Sequence, residues 1–303
     1  MASILVLGGT GFVGRHITEA ALAAGHDVTL FNRGKTNDGL FPGVERRAGD
    51  RYEGDVGELG SGSWDGVIDV NAYRPEHVRS VVDVLGDRVA WCTFISTVSV
   101  YRHAPDPIDE SSPLHTELDE STDEIGPNYG PLKVQCEEEV ARAFGDRCTI
   151  IRPGIVAGPH DPTERFTRWV RAAAAGGEVV AARPEQPVQV IHGRDQGDFV
   201  VAATVGGIGG TFNTTGPTEA VTMSDLLAAC FEAAGTDPKI RWASEEEVAA
   251  EGLELPLHLP ASAAIDGLFA ASNARAVSAG LVNRPLVETA ADTLEWARAH
   301  PAA

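Results

Sequence analysis

Ile4-Leu5-Val6-Leu7-Gly8-Gly9-Thr10-Gly11-Phe12-Val13-Gly14 is the stretch whose reading decides the fold. An aliphatic run of strand length ends in spaced glycines, and a helix-patterned segment, Val13 to Ala24, follows and is closed by Gly25. Glycines at such a turn let the backbone bend tightly and approach a pyrophosphate, whose charge is met by the helix N-terminus. A tight turn without a ligand is the plain alternative. The strand-turn-helix setting is the one the pattern requires, so the stretch reads as a dinucleotide site.

The alternation continues outward. Val28–Phe31, Val67–Val70, Val89–Ile95 and Cys148–Ile151 are short aliphatic runs bounded by turn residues, and Val44–Ala48 is a weaker one. Helical patterns at His77–Leu85 and at Val134–Phe144, the latter closed by Gly145, lie between them. Apolar strands spaced by helices predict a parallel sheet covered on both faces. Further on, the pattern predicts helices over Phe166–Ala175, Asp195–Val205, Ser224–Ala234 and Leu286–Ala299. It predicts strands over Val188–Ile191 and Ile240–Trp242, an acidic helix from Glu245, and a loop at Pro256, Pro260 and Ala261–Ala264. The expected class is α/β: a Rossmann-type doubly wound parallel sheet with a smaller, interleaved C-terminal substrate lobe. Residues 1–165 are expected to form the dinucleotide-binding domain, with a returning segment near 188–212, and 166–303 mainly the lobe.

Bulk properties set the bounds. The 303 residues are 43% hydrophobic, enough for one large domain with a lobe. The longest apolar stretches are strand-sized or broken by charge, which predicts no transmembrane helix. Met1-Ala2-Ser3 runs into the first strand without a basic region or cleavage site, so no secretory signal is expected. Cys92, Cys136, Cys148 and Cys230 form no CxxC pair and are expected to be reduced thiols of a cytoplasmic protein. No ligand spacing suggests a metal. The net charge of -20 argues against nucleic acid or an anionic membrane as a partner. The only lysines are Lys35, Lys133 and Lys239, which makes the first two conspicuous.

An NAD site places an Asp or Glu at the end of the second strand to hold the ribose 2′-hydroxyl. Here the segment is Asn32-Arg33-Gly34-Lys35. Nothing there repels a 2′-phosphate, and Arg33 offers it a planar fork with Lys35 nearby. A solvated basic turn is the alternative reading. NADP is favoured over NAD.

Tyr129-Gly130-Pro131-Leu132-Lys133 carries proton-transfer chemistry. Proline is tolerated in a first turn, so a helix is expected to start around Pro131, with Tyr129 and Lys133 on one side of it. An ammonium beside the phenol is expected to lower the tyrosine pKa and suit it to work near neutrality. Upstream, Ser96-Thr97-Val98-Ser99-Val100-Tyr101 ends the fifth strand, where a hydroxyl can meet a substrate oxygen. Satisfying local backbone is the bland role for each of those hydroxyls.

Taken jointly, these motifs resemble an extended or atypical short-chain dehydrogenase/reductase of the NAD-dependent epimerase/dehydratase family. The match comprises Gly8, Gly11 and Gly14, Asp50, the 96–101 segment and Ile108-Asp109-Glu110-Ser111-Ser112-Pro113. It continues through Tyr129 and Lys133, Ile151-Arg152-Pro153-Gly154-Ile155-Val156-Ala157-Gly158-Pro159, and His192-Gly193-Arg194-Asp195. The resemblance implies that Thr97 is the catalytic hydroxyl, Tyr129 the general acid/base, and Lys133 the residue that holds the nicotinamide ribose. It further implies that the cofactor meets Gly8, Thr10, Gly11, Phe12, Val13, Gly14, Asn32, Arg33, Lys35, Asp50 and Arg51. Asn71, Ala72 and Tyr73 would line it too, and Pro153, Gly154, Ile155 and Val156 would abut the nicotinamide. Arg165, Arg194 and His160 are implied as weaker substrate contacts, with His160 and His192 kept out of the catalytic set. Family habit implies a homodimer through helices near Val81 and Glu138.

Two departures bear on activity. Nucleotide-sugar members carry an acid where Asn32 stands, and dehydratases carry Asp-Glu where this chain has Val98-Ser99. The leading expectation is therefore an NADP-dependent oxidoreductase moving hydride between nicotinamide and a small carbonyl or alcohol. The alternatives are a nucleotide-sugar epimerase or dehydratase with tightly bound NAD, and a non-catalytic NADP-binding or RNA-associated protein.

Overall fold

The computed structural model describes residues 1–261 and 265–301. Its first half alternates strand and helix: β1 (Ser3–Leu7), α1 (Phe12–Ala23), β2 (Asp27–Asn32), β3 (Glu45–Ala48), β4 (Trp64–Asp69), α2 (Pro75–Leu85), β5 (Val89–Ile95), α3 (Ile125–Phe144) and β6 (Cys148–Pro153). Then follow β7 (Ile155–Ala157), α4 (Thr167–Ala175), β8 (Glu178–Ala182), β9 (Pro187–Val188), β10 (Val190–His192), α5 (Gly193–Gly206) and β11 (Gly210–Thr214). The chain continues through β12 (Val221–Thr222), α6 (Met223–Ala234), β13 (Lys239–Ala243), α7 (Glu245–Glu251), α8 (Ala274–Ser278) and α9 (Leu286–Ala299).

Seven parallel strands form the main sheet in the order β3-β2-β1-β4-β5-β6-β11. Strand alternation sends side chains to opposite faces, and both are covered. Leu5, Leu7, Val67 and Phe94 meet Val78 and Val81 of α2 and Cys136 and Val140 of α3. Ile4, Val6, Leu30 and Ile151 meet Ile17 of α1 and Phe199 and Val200 of α5. This is the doubly wound Rossmann arrangement, and its strand order reverses between β1 and β4. Ligands bind at such a switch point, beyond the carboxyl ends of the strands.

Downstream, α4, β8, α6 and α9 bury Trp169, Val179, Leu227 and Leu294 in a separate core. Residues 193–214 return to the main layer: α5 packs on α1, and β11 pairs with β6. All four cysteines are free and buried. Among the described residues no helix is long and apolar enough to cross a membrane.

The structure corrects several boundaries. Helix α3 starts at Ile125, six residues before the expected Pro131, which lies inside it. Pro127 already occupies the first turn, where proline fits, and Pro131 costs the helix a single bond one turn later. The expected strand Val188–Ile191 is two: β9 pairs antiparallel with β12, and β10 pairs parallel with β7. Strands β7, β8 and β11 were not read from the sequence. Their three to five residues are too few, or too rich in Gly, Thr and Ala, to show a period. Of the loop expected at Ala261–Ala264, residues 262–264 lie outside the described residues.

Candidate active site

The glycine turn is built by close approach. Gly8 has φ +92°, a conformation that favours glycine. A Cβ on Gly14 would lie 2.1 Å from the Gly8 carbonyl oxygen, so only glycine lets α1 start against the strand exit. The Thr18 hydroxyl donates to the carbonyls of Gly9 (3.1 Å) and Gly14 (2.8 Å) and pins the turn from below. Gly11 caps α1 without a side-chain acceptor and faces open space. The N-terminus of α1 thus borders the cleft with no side-chain cap among the described residues, the setting in which a helix N-terminus can take an anion.

That cleft, about 480 Å³, runs over the carboxyl ends of β2, β1, β4 and β5. Gly8, Thr10, Gly11, Phe12, Val13 and Gly14 line it, as do Asn32, Arg33, Lys35, Asp50 and Arg51. Asn71, Tyr73, Thr97, Tyr129, Lys133 and Pro153–Val156 complete the set of expected residues that reach it. Ala72 does not: it is fully buried behind the wall, and its carbonyl accepts a bond from Lys133 instead. Arg194 is turned outward onto Asp292 (2.9 Å), and His160 lies against Arg15 (3.3 Å) and the ring of Trp296, so neither lines the cleft. Arg165 does.

At the β2 end, Arg33 and Lys35 stand 3.7 and 4.0 Å from the Asp50 carboxylate. Asp50 also accepts from the Tyr52 amide at 3.1 Å, which fixes the carboxylate in the floor. Arg51 makes a buried two-oxygen bond to Asp69 (2.8 and 3.0 Å), while its Nη2 has no partner among the described residues. Asn32 accepts from Gly34 (2.9 Å) and leaves Nδ2 unpartnered in the same way. Buried donors are seldom left unpaired. Both residues line the cleft into which the N-terminus of α1 opens.

Three strand positions away lie Thr97, Tyr129 and Lys133. Thr97 lies two residues beyond the end of β5, and its Oγ1 accepts from the Ser99 amide at 3.1 Å. Helix α3 comes close enough to face it because residue 130 is glycine: a Cβ there would lie 2.2 Å from the Ser99 carbonyl oxygen. Tyr129 is half-buried beside Thr97, with the ring of Tyr73 6.3 Å away. Burial pushes its phenol above the ordinary value, and the Thr97 hydroxyl and the Arg165 cation pull it partway back. Lys133 is fully buried, and its Nζ donates to the carbonyls of Ala72 (3.0 Å) and Ile95 (2.6 Å). Desolvation lowers its pKa to about 8.

This corrects the expectation that the lysine depresses the tyrosine. In the protein alone, Lys133 ties the ends of β4 and β5 together and burial governs the phenol.

Beneath these groups, Glu137 of α3 and Arg152 of β6 make a buried two-point ion pair (2.6 and 3.0 Å). Ser96 donates to Glu137, and Arg152 donates to the Tyr101 hydroxyl (2.8 Å), which donates to Asn213 of β11 (2.7 Å). A network with its members satisfied holds α3, β5, β6 and β11 in register under the site. Sequence reading missed this network, and it also missed Asp161 and Thr163 on the cleft wall. The signal for the last two was positional, since they follow the strand expected to abut the nicotinamide.

Residues 4–71 match the family described as "NAD dependent epimerase/dehydratase family". They hold the glycine turn, the Asn32–Lys35 segment and the switch point. Over the whole chain, the fold is that of a putative epimerase from Burkholderia cenocepacia J2315 (TM-score 0.71, 19% identity, 98% of each chain covered). It is equally that of the Bordetella bronchiseptica enzyme WbmH in complex with NAD+ (TM-score 0.70, 18% identity, all of both chains covered). A curated relative is the chloroplast stem-loop binding protein of 41 kDa b of Arabidopsis thaliana, 27% identical over 180 residues. That match takes in 54% of this chain and spans about half, 45%, of the relative's length.

Proposed function

We propose that this protein is an NADP-dependent oxidoreductase that moves hydride between the nicotinamide and a small carbonyl or alcohol. The observation that carries the reading is the union, in one cleft, of the Thr97–Tyr129–Lys133 group with a dinucleotide cradle that bears Arg33 and Lys35 beyond β2, whose last residue is Asn32 and not an acid. When bound, the nicotinamide supplies or accepts the hydride. Tyr129 gives its proton to the substrate oxygen, and Thr97 holds that oxygen by its hydroxyl. Lys133, anchored on two carbonyls, has a third donor free for the cofactor ribose. Arg33 meets the 2′-phosphate, which competes for it with Asp50.

The test is NADPH consumption with a panel of aldehydes and ketones by wild type and Tyr129→Phe. Loss of the proton donor is expected to lower kcat/KM by about 10²–10⁴-fold. Equal turnover by the variant removes Tyr129 from the mechanism.

A second reading, an epimerase that retains NAD, is favoured by the family's description and by the Asp50 carboxylate, which offsets one of the two cations. It predicts that heat releases NAD from the purified protein and that no carbonyl consumes NADPH. The Arabidopsis relative's name raises a nucleic-acid stem-loop as a partner. The net charge of -20 opposes it. Retention of a labelled RNA stem-loop at physiological salt would bring that reading forward.

A further inference from the structure

One wall of the cleft has no duty in the scheme above. After β7 the chain turns over the site through Gly158-Pro159-His160-Asp161-Pro162-Thr163-Glu164-Arg165. Asp161 lines the cleft but is only 2% exposed. Its Oδ1 accepts from the Thr163 amide (2.8 Å) and hydroxyl (2.7 Å). Its Oδ2 is buried and has no hydrogen-bond partner among the described residues. Leaving a carboxylate oxygen dry and unpaired is costly, and native proteins tolerate it where a ligand completes the set.

We propose that Asp161 selects the substrate: Oδ2 accepts a hydrogen bond from a hydroxyl group next to the reacting carbonyl, so that hydroxylated carbonyls are preferred over plain ones. This rests on the reading of Tyr129 as the proton donor. The position of the loop supports it, because Asp161, Thr163 and Arg165 line the same cleft as Thr97 and Tyr129. The ligand group is a donor, since a carboxylate repels phosphate and other anions. It is a neutral donor, since the Arg165 guanidinium on the same loop, held by Nε to the Thr163 hydroxyl (3.2 Å), repels an ammonium. A hydroxyl meets both conditions. Burial raises the Asp161 pKa, and the Thr163 bonds and the Arg165 charge oppose that rise and favour the accepting form.

The probes are glyceraldehyde and propanal, which differ by the hydroxyls. Wild type is expected to bind glyceraldehyde more tightly than propanal in calorimetry on the protein–NADP+ complex. Asp161→Ala is expected to lower kcat/KM for glyceraldehyde about tenfold or more, chiefly through KM, while propanal changes less than about twofold. NADPH affinity, read by fluorescence titration, stays unchanged. Asp161→Asn keeps the Thr163 contact and removes the buried charge, so its Tm is expected to equal or exceed that of wild type. Equal loss for both aldehydes, weaker NADPH binding, a lower Tm for Asp161→Asn, or wild-type binding that ignores the hydroxyls would each overturn the proposal. Failure of the oxidoreductase reading shows elsewhere, as no NADPH consumption with any carbonyl, and the calorimetry still decides on Asp161.

Discussion

Arg33 shows how much a single residue decides here. An NAD site of this fold places a carboxylate at the end of the second strand, and this chain places Asn32 there, with Arg33 next to it. The guanidinium is nearly half exposed and 3.7 Å from Asp50, so the pair is loose and solvent-screened. An incoming phosphate, with more charge and more acceptors than one carboxylate, draws the fork away. Arg33→Ala is therefore expected to cost NADPH about 10- to 100-fold in kcat/KM and NADH almost nothing, since a charge-assisted bond contributes about 1.5–3 kcal/mol. Steady-state kinetics with both cofactors checks this. Equal losses for the two would mean that Arg33 only shapes the turn.

At the level of elements, the site depends on how closely α3 lies on the exit of β5. Gly130 permits the contact, Lys133 bonds the carbonyls at the ends of β4 and β5, and Glu137 grips Arg152 of β6. These three positions fall on one side of the helix, so one face positions Tyr129. Gly130→Ala pushes a methyl group against the Ser99 carbonyl and moves Tyr129 away from Thr97. Displacements of about 1 Å at a reacting group cost about 10²-fold, so kcat is expected to fall by about that factor while NADPH affinity is kept. A crystal structure or heteronuclear spectra of the variant would show the shift at residues 97–101. The same element shows what sequence can reveal. That Tyr129, Lys133 and Thr97 share one cleft was legible because a spaced motif sits after countable βα units. The helix start was not, because Pro127 and Pro131 are both compatible with a first turn. Ala72 was misplaced because a backbone role leaves no trace in residue type. Asp161 went unread because loop carboxylates are common, and only the burial of its unpaired oxygen distinguishes it.

For the molecule as a whole, the -20 charge lies over an interior that also buries histidines where the two cores meet. His192 ends β10 and caps α5, accepting from the Arg194 amide at 3.0 Å. Its ring is 6.1 Å from that of His16 in α1, whose Nε2 lies 3.1 Å from the Pro159 carbonyl. Burial first, then the cations Arg284, His16 and Arg194, lowers the His192 pKa to about 3. Asp292 stands 3.5 Å from the ring but is already bonded to Arg194 and Arg284, which leaves burial in control. As pH falls below about 6.5, the unfolded chain takes up a proton at His192 that the folded chain refuses until about pH 3. The stability is therefore present above the unfolded pKa and drains away as pH falls through that window. Between pH 7 and 5 this one ring is expected to cost about 2 kcal/mol, from about 1.4 kcal/mol per pH unit. Urea unfolding at the two pH values, with wild type beside His192→Asn, isolates the effect, because asparagine keeps an acceptor for the α5 cap but takes up no proton. The variant is expected to lose about 2 kcal/mol less than wild type on acidification, and an identical loss would place the acid sensitivity in groups other than this ring.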